Sequence, residues 1–236
     1  MRTREREGGG GREVMPMKKK ARVLIADDHS ILLVGLRRLV EDSCEVVGTV
    51  EDGRALVAAA EQLKPDVIVL DISMPLLNGL DAARQIKTSV PDAKLIFLTM
   101  HASPTYATEA IKVGASGYLL KQSAASELQQ AIETVLNGQT YLTPSITKPI
   151  LDRMLQPAQT ETRKSVAELT PRQREVLQLV GEGKSTKEMA TVLNVSVKTV
   201  EFHKARLMEQ LDLHSTAALI KFAIAEGLAS AEAGLS

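Results

Sequence analysis

The 236-residue chain has one cysteine, Cys44. A single thiol cannot close an internal disulfide, so no covalent framework supports the fold, and this usage fits a reducing cytosol. Cys44 itself reads as a small residue near a helix end. Long apolar runs are absent too. None approaches the ~18 residues that cross a bilayer, which leaves no membrane segment. The N-terminus is charged but has no apolar stretch of the kind a secretory signal needs, and the expected location is cytoplasmic. An excess of one charge is the third absence: 29 Lys and Arg balance 29 Asp and Glu. Binding of nucleic acid through bulk positive charge is thereby excluded.

The charge that is present is unevenly spread. Residues 1–20 hold seven basic residues against three acidic, a net +4, and residues 21–137 hold ten against fifteen, a net −5. Residues 138–165 come to +2 and residues 166–236 to −1. The acidic first half does not suit a nucleic-acid surface. Any DNA contact by the last segment must come from where its lysines lie. Residues 1–20 mix Arg, Glu and Gly with almost nothing to bury, and read as a disordered N-terminal extension. Met15 or Met17 is a candidate natural start within it.

The run Val67-Ile68-Val69-Leu70 stops at Asp71 and is bounded by Pro65, Pro75 and Gly79. Four apolar residues without alternation read as a strand buried on both faces. Arg22 to Ala26, Val46 to Val50, Leu95 to Thr99 and Gly117 to Leu120 read as further strands. Between and after them, helices are expected over Ile31–Val40, Gly53–Leu63, Gly79–Ile86, Tyr106–Val113 and Ala124–Leu136. Short connections and strict alternation predict a flavodoxin-like α/β domain over 21–137, with a five-stranded parallel sheet of order 2-1-3-4-5. Pro144, Pro149 and Pro157 fall among Thr, Ser and Gln, so 138–165 reads as a linker with a helix-like patch near Ile150 to Leu155. From Val166 to residue 232 the pattern is all helical. Thr170 before Pro171, Ser185 before Glu188, Ser196 and Ser215 supply four N-caps for four helices.

In that sheet order, Asp27 and Asp28 end the first strand beside Asp71 at the end of the third. Clustered carboxylates repel unless a cation sits among them, and an all-oxygen set on a shallow rim suits Mg²⁺. Lys121 follows the fifth strand and Thr99 ends the fourth. An acid, a divalent ion, a lysine and a hydroxyl around one point match a phosphoryl group on Asp71.

Asp27-Asp28, Asp71 with Pro75 and Gly79 beyond it, Thr99, and Tyr118 three residues before Lys121 together resemble the receiver domain of bacterial two-component response regulators. The resemblance covers residue 21 to about 137. It implies that Asp71 accepts a phosphoryl group from a phosphohistidine on a sensor histidine kinase, with Asp27, Asp28 and the Ile72 carbonyl holding Mg²⁺. It further implies a switch in which Thr99 moves to the phosphate and Tyr118 turns inward. His29 and His101 read as rim residues that tune access, with no catalytic role. An aspartyl-phosphate hydrolase would place a second Asp two residues past the nucleophile, where this chain has Ser73. A dinucleotide-binding turn would be glycine-rich, where this chain has Asp27-Asp28-His29.

Lys187 to Leu193, a turn at Asn194-Val195, and Val197 to Leu211 have helix-turn-helix spacing. Val200, Leu207 and Leu211 would point inward. Leu169 to Leu177, Lys187 to Ala190 and Ser196 to His203 resemble the LuxR-type DNA-binding domain of the NarL/FixJ family. That resemblance implies that Val197–Leu211 enters the major groove. Lys184, Lys198, Thr199, His203 and Arg206 would then meet phosphates, and Glu201, Phe202 and Lys204 base edges. The expected protein is a phospho-accepting transcriptional regulator rather than an enzyme. Its expected partners are promoter DNA, a sensor kinase, RNA polymerase and, once phosphorylated, a second copy paired through Thr216 to Leu228. Before phosphorylation the receiver is expected to mask Val197–Leu211 or to prevent dimerisation. A regulator whose output is protein binding alone is the remaining rival.

Overall fold

The computed structural model describes residues 19–100, 104–155 and 166–229. The proposed N-terminal extension, except for Lys19 and Lys20, lies outside these residues, as does His101. Six parallel strands form one sheet in the order β2-β1-β3-β4-β5-β6. They are β1 (Arg22–Ala26), β2 (Glu45–Val50), β3 (Val67–Leu70), β4 (Lys94–Thr99), β5 (Gly117–Leu120) and β6 (Tyr141–Leu142). Helices α1 (Ser30–Val40), α2 (Gly53–Leu63), α3 (Gly79–Ser89), α4 (Pro104–Val113) and α5 (Ala124–Leu136) connect them in turn.

Alternation along the strands divides the core into two. Leu24, Ile68, Leu70, Leu95, Phe97 and Tyr118 face α2, α3 and α4. Val23, Ile25, Val67, Val69, Ile96, Leu98 and Leu119 face α1 and α5. Every residue of β3 is buried, as a central parallel strand covered on both faces requires. At roughly 1.5–3 kcal/mol for each fully buried aliphatic side chain, that strand is a principal source of receiver stability.

The expected sheet had five strands, and the expected linker began at 138. Both are corrected here. Tyr141 and Leu142 pair with Gly117 and Tyr118 as a sixth strand, and Pro144–Leu155 forms helix α6. Ile146 and Ile150, one turn apart, are buried in the same core as α4. Pro144 read as a breaker, but at a first helical position its missing N–H costs nothing. Glu127 of α5 ties the addition down, accepting from the hydroxyls of Tyr141 (3.1 Å) and Thr143 (2.9 Å).

The second unit comprises α7 (Pro171–Gly181), α8 (Thr186–Val192), α9 (Val197–Leu211) and α10 (Thr216–Ala225). Its helices start where the sequence placed their caps. Thr170 with Gln173 and Ser185 with Glu188 form reciprocal capping boxes, and the Ser196 and Ser215 hydroxyls accept from Thr199 and Ala218 N–H. Val200, Leu207 and Leu211 point into the bundle core with Leu177, Met189 and Leu219. Leu219 and Ala223 of α10 are buried against the rest of the bundle, whereas Ala217 is exposed and Ile220 and Ile224 are half-buried.

Candidate functional site

Register fixes the acidic end of the sheet. Ala26 pairs with Leu70 and Thr99 with Leu120, so Asp27 and Asp71 emerge side by side, and Lys121 follows one residue past the Thr99 level. Asp71 N–H donates to the Ala26 carbonyl (3.0 Å) and Asp27 N–H to the Val50 carbonyl (3.1 Å), which holds both acids on strand-like backbone. Lys121 Nζ lies 2.7 Å from Asp27 Oδ2 and 2.9 Å from Asp71 Oδ2, with all three side chains almost fully buried. Asp71 Oδ1 accepts from Ile72 N–H at 2.7 Å.

The electrostatics follow from burial. Loss of solvent raises the Asp71 pKa; Lys121 pulls it back and Asp27 pushes it up again, and the net shift is upward. Burial lowers the Lys121 pKa, but Asp71 and Asp27 more than offset this and hold the lysine charged. Asp27 Oδ2 has no partner besides Lys121 Nζ, 2.7 Å away. A buried carboxylate oxygen of this kind suits a cation. Asp28 is more exposed, and His29 Nδ1 lies 2.7 Å from it and 3.1 Å from Asp27. The Asp27, Asp28 and His29 ligand atoms lie within 4.8 Å of one another. The hard carboxylate oxygens fit Mg²⁺. His29, read from sequence as a rim residue with no catalytic role, sits inside that cluster.

Thr99 is fully buried at the end of β4. Tyr118 is fully buried as well, in register with Phe97. Burial pushes the Tyr118 hydroxyl's pKa well up, with Tyr106 and Asp71 adding to it. The inward position expected of Tyr118 only after phosphorylation is the one it holds here. Gly79 completes the loop after Asp71: a Cβ there would run into the Asp71 carbonyl oxygen, so no other residue lets α3 start this close.

The second candidate surface is α9. Lys198, Glu201, Phe202 and Arg206 are exposed, and Thr199, His203 and Lys204 half-buried, along its outward side. Phe202 is 56% exposed. The Arg206 guanidinium sits 5.6 Å over the Phe202 ring, and the His203 ring meets that ring edge-on at 5.6 Å. Lys184 lies apart from α9, in the turn between α7 and α8.

Sequence reasoning missed a third set of residues. Arg174 and Gln178 of α7, with Glu182 just beyond it, bond to Asp81, Asn78, Met74 and Leu76 of the receiver. Arg54 donates to Glu175 at 3.0 Å. The Tyr106 hydroxyl donates to the Glu226 carbonyl at 2.7 Å, beside Gly227, whose φ of +67° and lack of a side chain make room for that ring. The polar period of four along α7 was the available signal. The described contacts of the receiver thus go to α7 and the end of α10, so of the two expectations, masking of α9 or prevention of dimerisation, the first is not what the structure shows.

Comparison with known proteins agrees with this reading of the fold. Residues 23–133 match the response regulator receiver domain family, and residues 167–223 match the bacterial regulatory proteins of the luxR family. The chain is 34% identical over 218 residues to the transcriptional regulatory protein MctR of Rhizobium johnstonii, covering 92% of this chain and 99% of that one. It is 34% identical over 212 residues to the response regulator UvrY of Escherichia coli, covering 89% and 96%. Among solved structures it resembles RcsB from Salmonella enterica serovar Typhimurium, bound to a promoter in the presence of a phosphomimetic. That match has a TM-score of 0.53 and 31% identity, over 86% of this chain and 98% of that one. The chain belongs to the two-component response regulators, with a receiver domain followed by a LuxR-type DNA-binding domain.

Proposed function

We propose that Asp71 is the phospho-acceptor of this regulator and that its phosphorylation controls promoter binding by α9. The observation that carries the reading is the buried Asp27–Lys121–Asp71 triad at the carboxyl edge of the sheet. Asp71 Oδ2 attacks the phosphorus of a phosphohistidine on a sensor kinase. A P–O bond forms as the P–N bond breaks, and the imidazole leaves with a proton from solvent. Lys121 stays charged and neutralises the phosphoryl oxygens as they arrive. Asp27, Asp28 and Asp71 would hold Mg²⁺, which supplies further charge neutralisation when bound. Thr99 would donate to the phosphoryl group, and Tyr118, already inward, would pack behind it.

On the DNA side, Lys184, Lys198, Thr199, His203 and Arg206 are assigned to phosphates, and Glu201, Phe202 and Lys204 to base edges. The working boundaries are a receiver from 21, a DNA-binding domain from 166, and a homodimer in the phosphorylated state. The absence of a helix long and apolar enough to cross a membrane among the described residues supports a cytoplasmic setting.

Incubation of the full chain with acetyl phosphate and Mg²⁺, followed by intact mass, gel filtration and DNA retardation, tests the reading. The wild type should gain one phosphoryl group, shift to dimer and bind DNA more tightly, and Asp71→Asn should do none of these. Equal DNA binding by Asp71→Asn and the phosphorylated wild type would refute it.

A further inference from the structure

Along the outward side of α9, Val197, Lys198, Glu201, Phe202, Ala205 and Arg206 are all exposed. They form two parallel rows, because residues four apart stand one turn above one another. One row is Lys198, Phe202 and Arg206, an aromatic ring with a cation one turn to either side. The other is Val197, Glu201 and Ala205, apolar residues on either side of one carboxylate. Val200, Leu207 and Leu211 hold the opposite side of the helix in the bundle core, so neither row can turn inward.

The first row has the dimensions of a DNA groove. From Lys198 to Arg206 the helix rises about 12 Å. The major groove of B-DNA is about 12 Å wide, and phosphates line both of its walls. A helix that sets these two cations against opposite walls brings Phe202, midway between them, over the base edges. The ring is already braced for that position. The Arg206 guanidinium lies 5.6 Å over its centroid, and the His203 ring meets it edge-on at 5.6 Å.

A phenyl ring has no donor or acceptor with which to read the polar pattern of the groove. The floor of the major groove offers such a ring one apolar group, the 5-methyl of thymine. Guanine, adenine and cytosine present nitrogen and oxygen atoms there. A phenyl ring set against those atoms would strip their water and supply no hydrogen bond in its place.

We infer that Phe202 is a specificity-determining residue that selects thymine in the operator by packing on its 5-methyl group. Lys198 and Arg206 fix the register of the helix on the phosphates, and Arg206 also supports the ring. The inference rests on the reading of α9 as the DNA-contacting helix and names the base that this helix selects.

The full chain, incubated with acetyl phosphate and Mg²⁺, is used to select duplexes from a random pool. Each thymine of the selected site is then replaced in turn by deoxyuridine, which removes the 5-methyl group and nothing else. Fluorescence anisotropy follows binding by wild type, Phe202→Leu and Phe202→Ala at low salt, where phosphate contacts keep every variant bound. Leucine and alanine both favour helix, so α9 is retained. At one thymine, loss of the methyl should weaken wild type by about 4-fold, the contribution of one buried methyl group. Phe202→Leu should keep most of that ratio, and Phe202→Ala should bind the two duplexes equally. A selected site in which no replacement weakens wild type would overturn the inference alone. So would a replacement that weakens wild type and Phe202→Ala alike, since it would assign the methyl to another residue. A wild type that enriches no site would overturn the reading of α9 as the DNA-contacting helix, and this inference with it.

Discussion

Asp71 shares its burial with a second carboxylate and one lysine, and one lysine does not fully offset the loss of water. Its folded pKa is therefore raised above the ordinary 3.8. The folded chain holds that proton to higher pH than the unfolded chain does. The stability contributed by the protonated form is fully present below 3.8 and is lost as pH rises through the raised value. Asp71→Asn, fixed neutral, should then melt above the wild type at pH 7 without divalent ions, by ~2–4 °C for each kcal/mol at this chain length. The gap should close as pH falls into the ordinary carboxylate range. A melting-temperature series against pH checks both the sign and the window. Asp27, Asp71 and Lys121 were legible in sequence because each stands one residue past a strand, where register alone brings them together. The inclusion of His29 was not legible, since a side chain on an exposed rim is placed by its rotamer and not by strand register.

The elements that sequence misread are β6 and α6. A two-residue strand carries no period, and two prolines within α6 outweigh the pair Ile146 and Ile150 in any pattern count. Tertiary packing decides the matter: Ile150 is 1% exposed and Ile146 3%. Ile150→Ala should destabilise the receiver by about 2–5 kcal/mol, as truncation of a core aliphatic does, whereas the same change in a linker would have no effect. Urea unfolding of the full chain, compared at equal m-value, distinguishes the two. By contrast, α9 ran from Val197 to Leu211 as the sequence indicated, because a serine cap and an apolar face at helical spacing state a helix locally. Ser196→Ala should cost ~1 kcal/mol through loss of that cap, seen as a lower midpoint of the helical domain.

The whole molecule holds its DNA-binding unit by α7 and leaves Lys198, Glu201, Phe202 and Arg206 of α9 exposed. With no bulk positive charge, affinity must depend on a few well-placed lysines and arginines. Lys198→Ala should weaken binding about equally across sequences and flatten the dependence of log K on log salt by ~0.9. Fluorescence anisotropy at several salt concentrations, on operator and random duplexes, measures this directly. A loss confined to one operator would assign Lys198 to base readout instead.

The sequence by itself determined the two domains' fold classes, the helical caps and the acidic edge, because these depend on period, propensity and residues at strand ends. Only the tertiary structure decided the sixth strand and its helix, the inward Tyr118 and the grip of Arg174 and Gln178 on the loop after Asp71. Those features join residues about a hundred positions apart or rest on burial that no local pattern records. A buried polar pair is stable only when both partners are in place, and the second partner is not part of the first one's sequence.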